Sequence, residues 1–486
     1  MIRDNTFKIT IKNFNEGFSP LAAFNSLTEH GNSGQASAMV NVDVLAPDYI
    51  TQGPGLADLT NGNQAGVVSE LINFILDKAV SADATYGIGN TKLFKISSTT
   101  VASGGTPSWP RTITGMASGQ SITDFKGNLY YFYNTVSAGD IGKYDLSTTF
   151  DDDWGSTVPT GAATLQNAPH PVATKEDVMV FGNGRYTGTY ISSTNTLAPT
   201  KLDFGNDAQV ADVCFNANQW LIAVNYGVSG ANKNNSDIFL WGAAGTNSVL
   251  DDETSVGPQK IGFLYPIGGV VYVAYQDLTT TSGYKIGYIS GRQLKAIGYF
   301  NGSLPTFAQK TMYRDTILFL SSGSIYSSGA MVETLPLQLS QFAGAGYTTP
   351  GALASPFGTP MVASTDGGSN FRLAKFSGYD INCSWRSVVI PLISGKMVGM
   401  IDDIVVLTKT LGTNAKCLLQ FEYNQNSSNS GTAKQITGTG KRRHTFSGFG
   451  GMIEDFRVFL DWSSGNATND CPIRQIQISG HWSEKG

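Results

Sequence analysis

Seven times along this chain a polar or glycine-rich pair leads into a short apolar run, and no other feature narrows the possible folds as far. The units are DATYGIG from Asp83, GNLYYFY from Gly127, EDVMVFG from Glu176, NQWLIAV from Asn218, GGVVYVA from Gly268, RDTILFL from Arg314 and GTPMVAS from Gly358. Each is followed by a second short segment: KLFKIS, IGKYDL, TGTYIS, SDIFLW, YKIGYIS, SIYSS and FRLAKF. Successive units start 44, 49, 42, 50, 46 and 44 residues apart, which is the blade spacing of propellers. The first segment of each pair is almost wholly apolar, as a strand covered on both faces must be, and the second alternates apolar with polar. A four-stranded sheet cannot bury two apolar faces alone, so several must stack around an axis. Seven units predict seven blades, with six as the alternative count.

Composition agrees with an all-β chain, because 56 glycines and only 14% charged residues suit short strands and tight turns better than amphipathic helices. A formal net charge of -5 over 486 residues argues against a surface that neutralises many phosphates. Cys214, Cys383, Cys417 and Cys471 have no short pair spacing, so neither a zinc knuckle nor a disulfide framework is indicated, and buried free thiols are expected. The start MIRDNTFKITIKNF has no apolar stretch of signal-peptide type, and no segment has the length and apolarity to cross a bilayer. Synthesis and folding in a cytoplasm, with no membrane anchor, is the resulting expectation.

The ends depart from the repeat. Residues 1–60 read as an extended arm with turns near Pro47 and Pro54, residues 61–376 as the propeller, and residues 377–486 as an antiparallel β-sandwich. The sandwich is read from longer strands with cleaner alternation, among them KMVGMIDDIVVLTK, KCLLQFEYNQ, EDFRVFLDW and IRQIQISGHW. Phe7, Phe14, Phe18, Leu21 and Phe24 are isolated apolar side chains in a polar arm, and such anchors need a surface to cover them. Together with the basic run Lys441, Arg442 and Arg443, they are the candidate subunit contacts. Arg442 and its neighbours would act through salt-sensitive attraction to an acidic neighbour or to passing DNA.

The arm runs through VNVDVLAP into a GPGL turn, the repeats follow, and EDFRVFLDW and IRQIQISG close the chain. This layout resembles the tail hub, nozzle or tail-stabilisation propeller proteins of short-tailed bacteriophages. The resemblance implies a non-enzymatic virion component that forms a ring of identical copies in the distal tail. It implies docking to an upstream adaptor or tube protein and to a fibre or receptor-binding protein. Genomic DNA would pass through without sequence-specific contact.

Residues for chemistry are sparse. His30, His170, His444 and His481 show no metal-ligand spacing, and no nucleophile elbow precedes a helix. Neither a metal nor a cofactor is expected. The acidic runs at Asp151, Asp251 and Asp402 lack the alternation of a calcium loop and read as solvated loop charge. Ser364, Asp366, Gly368 and Phe371 fit the S-x-D-x-G-x-x-aromatic turn found between outer strands of propeller blades, a structural signature in which Asp accepts backbone N–H groups. Two alternatives to the structural reading stand beside it. A receptor- or glycan-binding virion protein would gather Trp and Tyr on one groove, Trp109, Trp154 and Trp241 being blade-edge candidates. A sialidase-like glycosidase would converge three arginines, drawn from Arg111, Arg185, Arg292, Arg314 and Arg372.

Overall fold

The computed structural model describes residues 6–12, 14, 36–43, 49–59, 70–80, 83–103, 108–227, 235–242, 244, 247–257, 259–279, 283–329, 332–341, 349–365, 371–380, 382–394, 397–423, 426–430, 433–447, 449, 452–463, 465 and 468–484. Among them, seven four-stranded antiparallel sheets follow one another along the chain, and helix is confined to Ser98–Ser103 and Trp154–Thr157. The first strands of the seven are Phe74–Ile75, Ser118–Phe125, Val172–Lys175, Ala208–Asn216, Gln259–Ile267, Lys310–Tyr313 and Thr349–Ala354. All seven apolar segments of the repeat occupy the second strand of a sheet, and their partner segments occupy the third. Asn128–Asn134, for example, buries Leu129 through Asn134, and Thr316–Ser321 is buried throughout.

The polar pair before each apolar run is the hairpin that sets the register. Lys126 and Gly127, Ala217 and Asn218, Gly268 and Gly269, and Arg314 and Asp315 all have positive φ, as a two-residue turn matched to strand twist requires. The third strands were expected to keep one polar face. Several are instead nearly as buried as the second, including Gly139–Tyr144 and Ser236–Trp241. Glycine explains part of this. Gly142 pairs with Tyr131, and a Cβ on it would lie 2.0 Å from that ring; Gly188 pairs with Phe181, and its Cβ would lie 2.3 Å from that ring. The aromatic side chain of the second strand fills the space the glycine leaves open.

Contacts divide the chain into two compact units, one of residues 57–324 with 342–375, the other of residues 1–56, 325–341 and 376–486. In the first, the repeat unit, apolar clusters join the first sheet to the second, the second to the third, the third to the fourth and the fourth to the fifth. Phe132, Trp154, Phe181 and Tyr190 share one cluster, and Val180, Val210, Trp220 and Trp241 share another. The circuit returns on itself, because Ile72, Ile75, Phe94 and Ile96 of the first sheet pack with Ala352, Met361 and Leu373 of the seventh. The last strand of that seventh sheet comes from the N-terminal side of the repeat: Pro54–Asp58 pairs with Phe371–Tyr379, Leu59 N–H donates to the Leu373 carbonyl at 2.8 Å, and Arg372 meets Asp58 at 2.8 Å. The unit is all-β and propeller-like.

The second, terminal unit holds two larger sheets. In one, Ile473–Glu484 lies between Thr6–Ile11 and Met397–Thr408; in the other, Asp455–Asp461 lies between Ser384–Ser387 and Lys416–Tyr423. Trp385, Trp462, Phe421, Phe456, Ile404 and Ile478 are buried there. Residues 6–11 are therefore a sheet strand in register with residues 476–481, not a free arm. Its alternating TFKITI pattern puts Ile9 and Ile11 on a buried face while its backbone pairs with the neighbouring strand.

Candidate functional site

One set of charged and hydroxyl side chains that ties several sheets of the repeat unit together lies on and beside their first strands. A β-bulge interrupts the ladder of the first strand between Gly119 and Ser121, between Val210 and Asp212, between Ile261 and Phe263, and between Pro350 and Leu353. An inserted residue bends a strand and re-aims the side chain that follows it. Asp212 follows the bulge of the fourth sheet. It is 2% exposed, and its carboxylate accepts the Val213 N–H at 2.8 Å and the Leu264 N–H of the fifth sheet at 2.7 Å. Lys310 of the sixth sheet donates to the same carboxylate and, at 2.7 Å, to the Leu264 carbonyl. Sheets four and six are not consecutive in the chain, yet their first strands meet at this carboxylate. Burial pushes the Asp212 carboxyl up, opposed by the Lys310 charge and these hydrogen bonds.

A second tie crosses the same region. Thr311, fully buried beside Lys310, donates to Asp77 of the first sheet at 2.7 Å, and the Ser355 N–H of the seventh sheet donates to it at 2.6 Å. Asp77 keeps solvent contact. Desolvation nonetheless raises its pKa to about 6, against the pull of the Ser355 and Thr311 hydrogen bonds and of Lys310. This arrangement can hold sheets one, four, five, six and seven together. Further out, Asn134 donates to the Ala168 carbonyl at 3.0 Å, and Asn225 brackets Ile261 by donating to its carbonyl at 2.9 Å and accepting its N–H at 2.8 Å. Sequence reasoning missed these bridges, although the asparagines end the apolar runs YFYN and IAVN at matching positions of the repeat.

The sequence-derived candidates fare as follows. Ser364 is the penultimate residue of the second strand of the seventh sheet, paired with Arg372, and Phe371 opens the third, paired with Thr365, so the turn lies one step inside the outer-strand position expected for it. Asp366 and Gly368 lie outside the described residues, as do Phe18, Leu21 and Phe24. Phe7 packs on Trp482 at 5.0 Å, and Phe14, 3% exposed, meets Trp385 edge-on at 5.2 Å, so both find apolar partners inside the terminal unit. Lys441, Arg442 and Arg443 are exposed beside the start of the strand Arg443–Ser447. Trp154 and Trp241 are buried rather than presented at an edge. All four cysteines are buried free thiols.

Of the acidic runs, only Asp152 departs from solvated charge by being part-buried in a pair, whereas Asp252 and Asp402 meet their partners at the exposed surface. One terminal nitrogen of Arg111 donates to both oxygens of Asp152 at 3.0 Å and the Tyr131 hydroxyl donates to it at 2.6 Å, while Asp252 pairs with Arg292 at 2.8 Å and Asp402 with His481 at 3.0 Å. The arginines that a sialidase would gather are dispersed: Arg111, Arg185, Arg292 and Arg372 meet Asp152, Asp203, Asp252 and Asp58, and Arg314 stacks on Tyr313. His170 is fully buried, its ring held by the Gly182 carbonyl and Asn134, and burial lowers its pKa to about 4. Among the described residues no group of three metal-ligating side chains occurs, and no helix is long and apolar enough to cross a membrane.

No family model and no curated protein matches the sequence. Among solved structures the chain is similar to an exo-β-1,3-galactanase from Phanerochaete chrysosporium, with 8% identity, a TM-score of 0.31 and coverage of 66% of this chain and 98% of that one. It is similar to the N-terminal domain of Nup159, with 12% identity, a TM-score of 0.40 and coverage of 68% and 96%. It is also similar to PorZ of the type-IX secretion system of Porphyromonas gingivalis, with 10% identity, a TM-score of 0.42 and coverage of 81% and 48%. At these scores none of the three carries an argument about activity.

Proposed function

We propose that the repeat unit is a seven-bladed β-propeller and that the chain is a non-enzymatic structural component of a phage virion, a ring-forming hub or nozzle protein of the distal tail. Its partners in this reading are other copies of itself, an upstream adaptor or tube protein, a fibre or receptor-binding protein, and genomic DNA passing through the ring. The observation that carries the reading is where the charges go. Asp212 and Lys310, Asp152 and Arg111, Asp58 and Arg372, and Asp277 and Lys285 are each engaged in a pair that fastens strands or sheets together. Such pairing suits a body that must keep its shape under load. The resemblance of the chain's two ends to tail hub proteins supplies the location.

The test is electron microscopy of purified particles with an antibody to this chain, together with negative staining of the isolated protein. A ring of copies and label at the distal tail are expected. Label confined to the capsid, or a protein that stays outside the particle, would overturn the proposal.

One observation favours receptor or glycan binding as a second reading. A cleft of about 370 Å³ in the repeat unit is lined by Gln209, Asn225, Tyr226, Gln259, Lys260 and Gln276, amide-rich like many sugar sites. Binding to a glycan panel, lost in Gln276→Ala, would move the assignment to that reading.

A further inference from the structure

Three segments of the terminal unit end together and leave a basic cleft. Thr408 N–H donates to the Arg442 carbonyl at 2.9 Å, Leu411 N–H to the Lys441 carbonyl at 3.3 Å, and Lys409 N–H to the Pro472 carbonyl at 3.1 Å. These bonds fix the backbone of residues 408–411, 441–442 and 472–474 around a cavity of about 340 Å³ lined by Thr408, Lys409, Thr410, Arg442 and Arg474. No carboxylate is among those lining residues. Arg442 donates through Nε to the Thr410 hydroxyl at 2.6 Å, which orients its guanidinium and leaves its two terminal nitrogens for a ligand. The Lys409 ammonium sits 3.5 Å from the centre of the Tyr49 ring, which fixes the third cation. Asp470 is near enough to Lys409 to feel its charge and offsets one cation of the three. Lys441 and Arg443, next to Arg442 in the chain, are exposed. Within a chain of net charge -5, these side chains form a local cationic excess that attracts anions.

We infer that this cleft is an oxyanion-binding site for a phosphate group, held by the forked guanidinium groups of Arg442 and Arg474 with Lys409 and the threonine hydroxyls in support. The site does not depend on where in a particle the chain resides. Two sources share the chemistry, free inorganic phosphate and the phosphodiester backbone of a nucleic acid.

The experiment uses the full chain. Thermal unfolding and calorimetric titration are run with sodium phosphate against sodium chloride at matched ionic strength, on the native protein, on Arg442→Ser with Arg474→Ser, and on Lys12→Ser with Lys295→Ser, which removes the same charge elsewhere. Phosphate should bind the native protein and the Lys12, Lys295 variant equally, and at least tenfold more weakly the double arginine variant, whose circular dichroism should be unchanged. An equal loss in both variants would reduce the effect to general charge screening and overturn the inference, as would the absence of any phosphate effect beyond chloride. Should the arginine variant fail to fold, Arg442→Lys with Arg474→Lys keeps the charge and removes the fork, and undiminished binding there would overturn the forked geometry. Competition by a short single-stranded oligonucleotide assigns the site to phosphodiester, and lack of competition assigns it to free phosphate.

Discussion

Replacing Lys310 with Met removes the cation from the innermost charge cluster while keeping most of the apolar stem. Asp212 would stay buried with only the Leu264 and Val213 N–H groups to hold its charge, and the Leu264 carbonyl would lose a donor. Because Asp212 is 3% exposed and Lys310 14% exposed at the side chain, the loss is a buried-pair loss and not a surface one. Breaking such a pair from one side costs about 3–5 kcal/mol at pH 7. Burial already raises the Asp212 pKa and Lys310 opposes that rise, so the variant's carboxyl moves further up. A native-state pKa raised above the unfolded value gives stability that is full below the unfolded value and lost as pH rises through the native one. The penalty should therefore shrink between pH 7 and pH 5. Urea unfolding at both pH values measures it. A cost below about 1 kcal/mol at pH 7, or the same cost at both, would refute the argument that this pair is desolvated and structural.

Four further outcomes are expected. Asp77, with its pKa raised to about 6, should make the wild type lose stability as pH rises from the ordinary aspartate range through about 6, and Asp77→Asn should flatten that slope in pH-dependent thermal melts. Gly142→Ala places a methyl group 2.0 Å from the buried Tyr131 ring and should cost about 1–3 kcal/mol by chemical denaturation, partly recovered in Gly142→Ala with Tyr131→Leu. Phe14→Ala, emptying a site that is 3% exposed against Trp385, should destabilise the terminal unit by about 3–5 kcal/mol; a melting curve that does not move would show that Phe14 serves only contacts between subunits. Deleting residues 1–12 removes the strand Thr6–Ile11 and should raise hydrogen exchange across residues 476–481 while leaving the repeat unit protected.

The repeat was legible because it is local. Each turn pair, each apolar second strand and each third strand lies within one stretch of about 45 residues, where periodicity and turn chemistry act directly. What was not legible depends on residues brought together from far apart. Lys310 and Asp212 are separated by 98 positions and Asp77 and Thr311 by 234, and nothing in the spacing of either pair marks it. Arg442 was visible as part of a basic run, but Arg474 and Lys409, which complete its cleft, stand as single charges in other strands. The segment TFKITI reads as easily as an exposed arm as it does as an edge strand, since only its partner at residues 476–481 decides the matter. Glycine in the third strands was read as turn chemistry, whereas Gly142 and Gly188 serve as seats for the rings of Tyr131 and Phe181.

The strand that completes the seventh sheet imposes an order on synthesis. Asp58 and Arg372, which meet across that closure, are 314 positions apart. At about 5–20 residues per second, a ribosome needs roughly 15–60 s to travel that distance. Through that interval the early segment has no partner, and six sheets can form and stack while the circle stands open with raw edges. Those edges are the template on which two nascent chains would cross-pair. A slow codon run placed between residues 58 and 372 would lengthen that interval without altering the finished molecule.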